Sequence, residues 1–256
     1  KPVRISEKDE YLVCSREIEK QISKKSRVLL LCNPHNPTGA VHSFENLNKI
    51  ARLVKKFNLI VVADECWQHL IYDGRKHVSF ASLDGMRDRT ITINTTSKVY
   101  NMAGWRVGWA SGPRDIIEKI VAIQATSVTC PSSVAQAGAI AAVKTTTGMG
   151  DLSFNNLSKQ FSRRRKIVLK GVTEIPGVTC VTPYGGIFMF PNFSNFHMTS
   201  EKLSLRLLKE AGIGSVPGSE FGLYGEGHLR ILYTSPPDEI KRGLGRMRAF
   251  FEKITE

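Results

Sequence analysis

With 256 residues, 41% of them hydrophobic and 23% charged, the chain has an ordinary globular composition and room for one large domain, or one large and one small. Five scattered cysteines without a CxxC pair argue against a disulfide framework or a zinc site and for a reducing, cytoplasmic setting. The net charge of +13 is spread along the chain apart from Arg163-Arg164-Arg165-Lys166, a run inside a helical pattern that reads as a solvated face, so neither nucleic acid nor a membrane is expected as partner.

In chain order, residues 17–26 read as a short polar helix. The apolar run Val28–Cys32 follows, stopped by Asn33-Pro34, and fits a buried parallel strand. Ser43 is placed to cap a helix from Phe44 to about Phe57, with Leu47, Ile50, Ala51 and Val54 at helical spacing. Leu59–Ala63 reads as a second buried strand, Thr90–Asn94 as a third and Val107–Ser111 as a fourth. Helices are expected at 113–124 and 131–144, then a break over Thr145–Gly150, where the domain boundary is placed. Beyond it come a long helix at 152–171, short strands at Val178–Val181, Ile187–Phe190 and Leu229–Tyr233, and helices at 199–211 and 237–254. The expected fold is therefore α/β, with a mostly parallel sheet in a large domain over 1–150 and a smaller α+β domain over 151–256.

Ligands of parallel sheets bind beyond the carboxyl ends of the strands. Three polar clusters fall at such ends: Asn33–Asn36, Asp64-Glu65 and Ser97-Lys98. Lys98 in a desolvated cleft would suit covalent amine chemistry, although a lone lysine is more often a surface residue. Ser97 and Arg106 have the hydroxyl and planar fork that hold a phosphate. Asp64 at a strand end needs a cationic partner, a protonated ring nitrogen among the candidates; a helix cap or a salt bridge to an arginine is the plainer alternative. In Asn33-Pro34-His35-Asn36-Pro37-Thr38-Gly39, two X-Pro steps, either of which can be cis, hold the Asn36 amide rigidly. The six histidines lack metal-ligand spacing, so no metal is expected.

NPHNPTG, the ADE of Val62–Glu65 and TSKVYNMAGWRVGWASGP, in this order and spacing, resemble the class I/II aminotransferases of the fold-type-I pyridoxal-phosphate (PLP) family. YDGRKHVSFASLDGMRDRTITI is similar to the kynurenine aminotransferase/glutamine transaminase K branch and to the related carbon–sulfur β-lyases. The resemblance runs from about Val28 to Phe251. It implies PLP as cofactor, bound through a Schiff base on Lys98, with Asp64 on the pyridine nitrogen and Asn36 on the ring 3′-oxygen. It also implies Ser97 and Arg106 on the phosphate, and Arg230 on the substrate α-carboxylate, with Asn36 beside it. Trp67 stands where the family usually has tyrosine; its indole N–H can donate but not ionise.

The activity so implied is ping-pong transamination between an L-amino acid and a 2-oxo acid, in a homodimer. Aromatic, glutamine-like or sulfur-containing amino acids are favoured over aspartate by the branch resemblance alone. A β-lyase acting on cystathionine or cysteine conjugates is the alternative, as is a non-catalytic aminotransferase-like module. Only 32 residues precede Asn33, and the chain does not begin with methionine, so a truncated large domain is expected.

Overall fold

A computed structural model describes residues 1–149 and 152–255. The chain forms two compact units: residues 14–34 and 42–157 build one, and residues 1–13, 35–41 and 158–256 the other. The expected boundary between 150 and 151 lies outside the described residues.

The first unit carries a four-stranded sheet in sequence order. Its strands are β1 (Val28–Cys32), β2 (Ile60–Asp64), β3 (Thr90–Thr95) and β4 (Gly108–Ser111). The first three are parallel and β4 runs antiparallel to β3, so the sheet is mostly parallel as expected. In detail, β1 departs from the expectation of a buried strand. It is an edge strand whose Val28 and Leu30 are 58% and 73% exposed. An apolar run marks a buried strand only where both of its faces are covered; the face of β1 that carries Val28 and Leu30 is exposed, and among the described residues β1 pairs only with β2.

Helix α1 (Ser15–Gln21) stops short of residue 26. Helix α2 (Phe44–Lys56) starts where Ser43 Oγ accepts the Asn46 N–H at 3.2 Å, satisfying one of the amides the first turn leaves open. Its Leu47, Ile50, Ala51, Leu53 and Val54 are buried, the face that the 3.6-residue period predicts. Helix α3 (Arg114–Ser127) buries no residue, and Val121 and Ile123 are exposed. Helix α4 (Ser133–Met149) passes straight through the first part of the expected Thr/Gly break: threonine and glycine lower helix propensity by less than about 1 kcal/mol each, too little to stop a helix already propagating. Helix α5 (Leu152–Thr173) carries the chain into the second unit.

That unit has a three-stranded antiparallel sheet in the order β5 (Phe188–Met189), β7 (Leu229–Leu232), β6 (Val216–Pro217), with helices α6 (Ser200–Ala211) and α7 (Pro237–Thr255). Residues 178–181, expected as a strand, contribute only the single bridge Thr179–Asn192. The core joins Val168 and Val172 of α5, Leu203 and Leu207 of α6, Leu229 of β7 and Met247 and Phe251 of α7. Residues 1–13 are fastened to this unit by Glu7, whose carboxylate accepts from Thr179 Oγ1 at 3.2 Å and Asn192 Nδ2 at 3.1 Å.

His42 lies buried in the first unit, its backbone N–H donating to Asn33 Oδ1 at 3.0 Å. Burial lowers the imidazole pKa from 6.5 to about 4, against a smaller opposing effect of the Asn46 side chain. Between these values the unfolded chain binds a proton that the folded chain refuses, so stability falls as the pH drops from 6.5 towards 4. The loss amounts to about 3 kcal/mol. Urea unfolding at pH 7 and pH 4 is expected to show a pH dependence flatter by about that amount in His42→Leu than in the parent; equal slopes would remove His42 as the cause.

Candidate functional site

The sheet register brings the polar residues of the first unit to one edge. Cys32 pairs with Asp64, and Asp64 with Ile93, so Asn33, Asp64 and the Thr95–Lys98 turn leave the sheet at the same carboxyl end. Because β4 is antiparallel and Gly108 pairs with Thr95, Arg106 enters the sheet at that end as well.

The half-buried Asp64 carboxylate has no ion-pair partner among the described residues, so the salt bridge weighed from sequence is not formed. Its Oδ1 accepts the Cys66 N–H at 3.1 Å, a local turn that fixes the carboxylate and keeps something of the expected capping role. The Cys66 thiol beside it is pushed up to about 12, by burial first and by Asp64 second. Trp67 is buried, and Lys98 Nζ lies 4.8 Å from its ring centroid. Lys98 itself is exposed rather than desolvated, and among the described residues its amine has no hydrogen-bond partner. In place of burial, the indole face holds the ammonium by cation–π attraction.

Thr95 orders the neighbouring turn. Its Oγ1 donates to the Val107 carbonyl at 2.9 Å, accepts the Ser97 N–H at 3.1 Å and sits 2.8 Å from Ser97 Oγ. Arg106 is exposed, with a left-handed φ of 56°, and Nη1 donates to the Ala103 carbonyl at 2.9 Å. A hydroxyl pair, a guanidinium, a free amine and an unpaired carboxylate thus stand along one sheet edge. This donor set fits PLP: hydroxyls and guanidinium for its phosphate, the amine for its carbonyl, the carboxylate for its ring nitrogen.

Asn36 and Arg230 belong to the other unit. Both X-Pro bonds of the motif, Asn33-Pro34 and Asn36-Pro37, are cis. Gly39, with φ 72°, closes the turn; a Cβ there would stand 2.4 Å from Pro183 Cβ, which explains the glycine at the end of the motif. Arg230, on β7, donates from Nη1 to Asn36 Oδ1 at 3.0 Å and lies 4.9 Å from the Phe221 ring centroid. Its buried Nε has no partner among the described residues, and burial lowers its pKa. A guanidinium left with an unmet donor suits a carboxylate ligand.

Glu65 is a residue whose task the sequence did not reveal. Only 2% exposed, it accepts from Ser79 Oγ at 3.0 Å and the Phe80 N–H at 2.9 Å, and pairs with His77 Nε2 at 3.0 Å. It therefore ties residues 77–80 to the end of β2, while its neighbour Asp64 keeps an open carboxylate. Glu65→Ala strands these donors and is expected to destabilise the protein by about 3 kcal/mol, read as a lower urea midpoint. A loss below about 1 kcal/mol would show the anchor to be incidental.

Residues 1–247 match the family model described as aminotransferase class I and II. The chain is 38% identical to an aspartate aminotransferase of Pyrococcus abyssi and 36% identical to an aromatic-amino-acid aminotransferase of Thermococcus litoralis, each over 96% of this chain. It spans 63% of the length of both relatives. Among solved structures, an aromatic aminotransferase from Pyrococcus horikoshii superposes with a TM-score of 0.91 at 39% identity, over 98% of this chain and 66% of that one. Aspartate aminotransferase from Thermus thermophilus with maleate gives 0.88 at 29% identity, over 96% of this chain and 63% of that one.

Proposed function

The chain belongs to the aminotransferase class I and II family, and from that premise we propose that it serves PLP-dependent transfer of an amino group between an L-amino acid and a 2-oxo acid. The observation that carries this reading is the unpartnered Lys98 amine over Trp67 at the sheet edge where Asp64 ends β2. PLP, when bound, supplies an electron sink for the bonds at the substrate α-carbon.

The remaining work falls to the protein's own side chains. Lys98 would hold the cofactor, and its Nζ would take the substrate α-proton as general base and return it as general acid. Asp64, fixed by the Cys66 N–H, keeps the ring nitrogen protonated. Ser97, held by Thr95, and Arg106 would grip the phosphate, and Trp67 would offer the cofactor an indole N–H that can donate but not ionise. Arg230 receives the substrate carboxylate in a two-point grip, steadied by Asn36, whose amide also serves the cofactor's 3′-oxygen. We read the working form as a cytoplasmic homodimer. The exposed apolar residues Val121, Ile123, Val134 and Ile140 of α3 and α4 support association. The five cysteines, none of them in a disulfide, support a reducing compartment. No helix among the described residues is long and apolar enough to cross a membrane.

Product analysis tests the chemistry. The protein with PLP, an L-amino acid and a 2-oxo acid is expected to yield the exchanged pair in equal amounts. Pyruvate and ammonia released from a cysteine conjugate without any oxo-acid acceptor, and no exchange, would make it a β-lyase instead.

A further inference from the structure

At the amino end of β3, away from the Thr95–Lys98 turn, the first unit holds an open cleft of about 590 Å³. Its wall includes Thr90 and Thr92 of β3, Ser111 of β4, and Arg87, Asp88 and Arg114. Thr90 and Thr92 are two residues apart on one strand and Ser111 pairs with Thr92, so these three side chains share a face of the sheet. The wall takes Thr90 and Thr92 and skips Ile91 between them, so it is the hydroxyl-bearing face that turns to the cleft. Thr90 is 1% exposed, and among the described residues its Oγ1 has no hydrogen-bond partner. A buried hydroxyl left unmet is costly, and one kept at the floor of a cleft points to a partner that comes from outside.

Helix α3 begins beside it. Gly112 lets the chain pass so close that a Cβ there would stand 2.9 Å from the Thr90 carbonyl oxygen. The helix follows at once, 14 residues long, and its N-cap, Pro113, makes no side-chain bond to the first turn. Its first amides therefore stay open at the positive end of the helix dipole.

We propose that this cleft binds a phosphate group, received by Arg87, Arg114 and the open amides of α3 with the Thr90 hydroxyl at its floor, at the end of the sheet opposite Lys98. Helix N-termini and guanidinium forks both match a phosphate dianion. Arg114 Nε is engaged by Glu118 at 2.8 Å, which leaves its Nη groups for the ligand. Asp88 in the wall and Asp115 in the first turn of α3 oppose an anion, but both are exposed, and the wall itself carries two cations against one carboxylate. Small-molecule sites run to roughly 300–1,000 Å³, so the cleft has room for an organic group on the phosphate, and its hydroxyl lining suits a polar one.

The test is thermal unfolding of the 256-residue chain in inorganic phosphate and in glycerol 3-phosphate, each against sodium chloride of the same ionic strength. A ligand that binds the folded chain raises the midpoint with its concentration, and the rise gives its Kd. Both phosphates are expected to raise the midpoint. Tighter binding of the ester assigns the cleft to a phosphorylated small molecule, and equal binding assigns it to the free ion. Thr90→Val keeps the shape and removes the unmet hydroxyl. Without phosphate its midpoint is expected to equal or exceed the parent's, while phosphate binds about tenfold more weakly. Arg87→Glu, at an exposed position, is expected to abolish the rise, and Asp88→Asn to tighten binding about threefold. Arg106→Ala removes the guanidinium assigned to the cofactor phosphate at the other end of the sheet, and is expected to leave the rise in place. No rise with either phosphate, a rise that Thr90→Val or Arg87→Glu leaves intact, or one that Arg106→Ala removes overturns the site.

Discussion

Lys98→Ala is expected to lower amino-group exchange by roughly ten-thousand-fold, the upper range for a positioned proton-transfer group. On the proposed reading two roles are lost together: the covalent hold on the cofactor and the proton transfer at the α-carbon. The Lys98 amine has no hydrogen-bond partner to give up among the described residues, and it lies over the face of Trp67. The fold is therefore expected to stay intact, and the loss to appear in chemistry rather than in stability. Borohydride reduction of the PLP-loaded parent, followed by peptide mapping, is expected to label Lys98, and the variant to show no label at any single lysine. Activity within tenfold of the parent, or a specific label elsewhere, would remove Lys98 from its assigned role.

The second large effect is expected at Arg230. Arg230→Lys keeps the positive charge and loses the planar fork, the bond to Asn36 and the stacking on Phe221. A charge-assisted two-point contact is worth about 1.5–3 kcal/mol, so kcat/KM is expected to fall roughly 10- to 150-fold for amino-acid and oxo-acid substrates alike. Since the contact is made to substrate and transition state together, most of the loss belongs in KM. A fall confined to kcat with KM unchanged would mean that Arg230 acts on the reacting atoms and not on the carboxylate.

What was legible in the sequence follows from how local each signal is. Strand ends marked by Asn33, Asp64 and Ser97 were readable because an apolar run that stops at a polar residue is a short-range pattern, and the sheet register then placed them on one edge. Ser43 as a helix cap was readable for the same reason. The exposure of Leu30 was not, because an edge strand and a central one carry the same five residues, and only the neighbours differ. Nor was the division of labour between Asp64 and Glu65, adjacent carboxylates distinguished by donors 12 to 15 residues away. The short strand at Val216–Pro217 is two residues long, below what any periodicity reveals. The packing of Ile5 and Tyr11 with Phe190 and Phe221 joins segments that no window along the chain contains.

That interleaving bears on how the protein comes off the ribosome. All members of the unit formed by residues 14–34 and 42–157 have been synthesised once position 157 is made. Tyr11, Asn36 and the Glu7 carboxylate have to wait for Asn192, Phe221 and Arg230, across 185 residues for Glu7 and 194 for Asn36. At the usual pace of synthesis, the stretch from 157 to 230 takes about 4 to 15 s. Until then Ile5 and Tyr11 lack Phe190 and Phe221, the aromatic partners they pack with in the folded chain, and present apolar surface that a nascent-chain chaperone can hold.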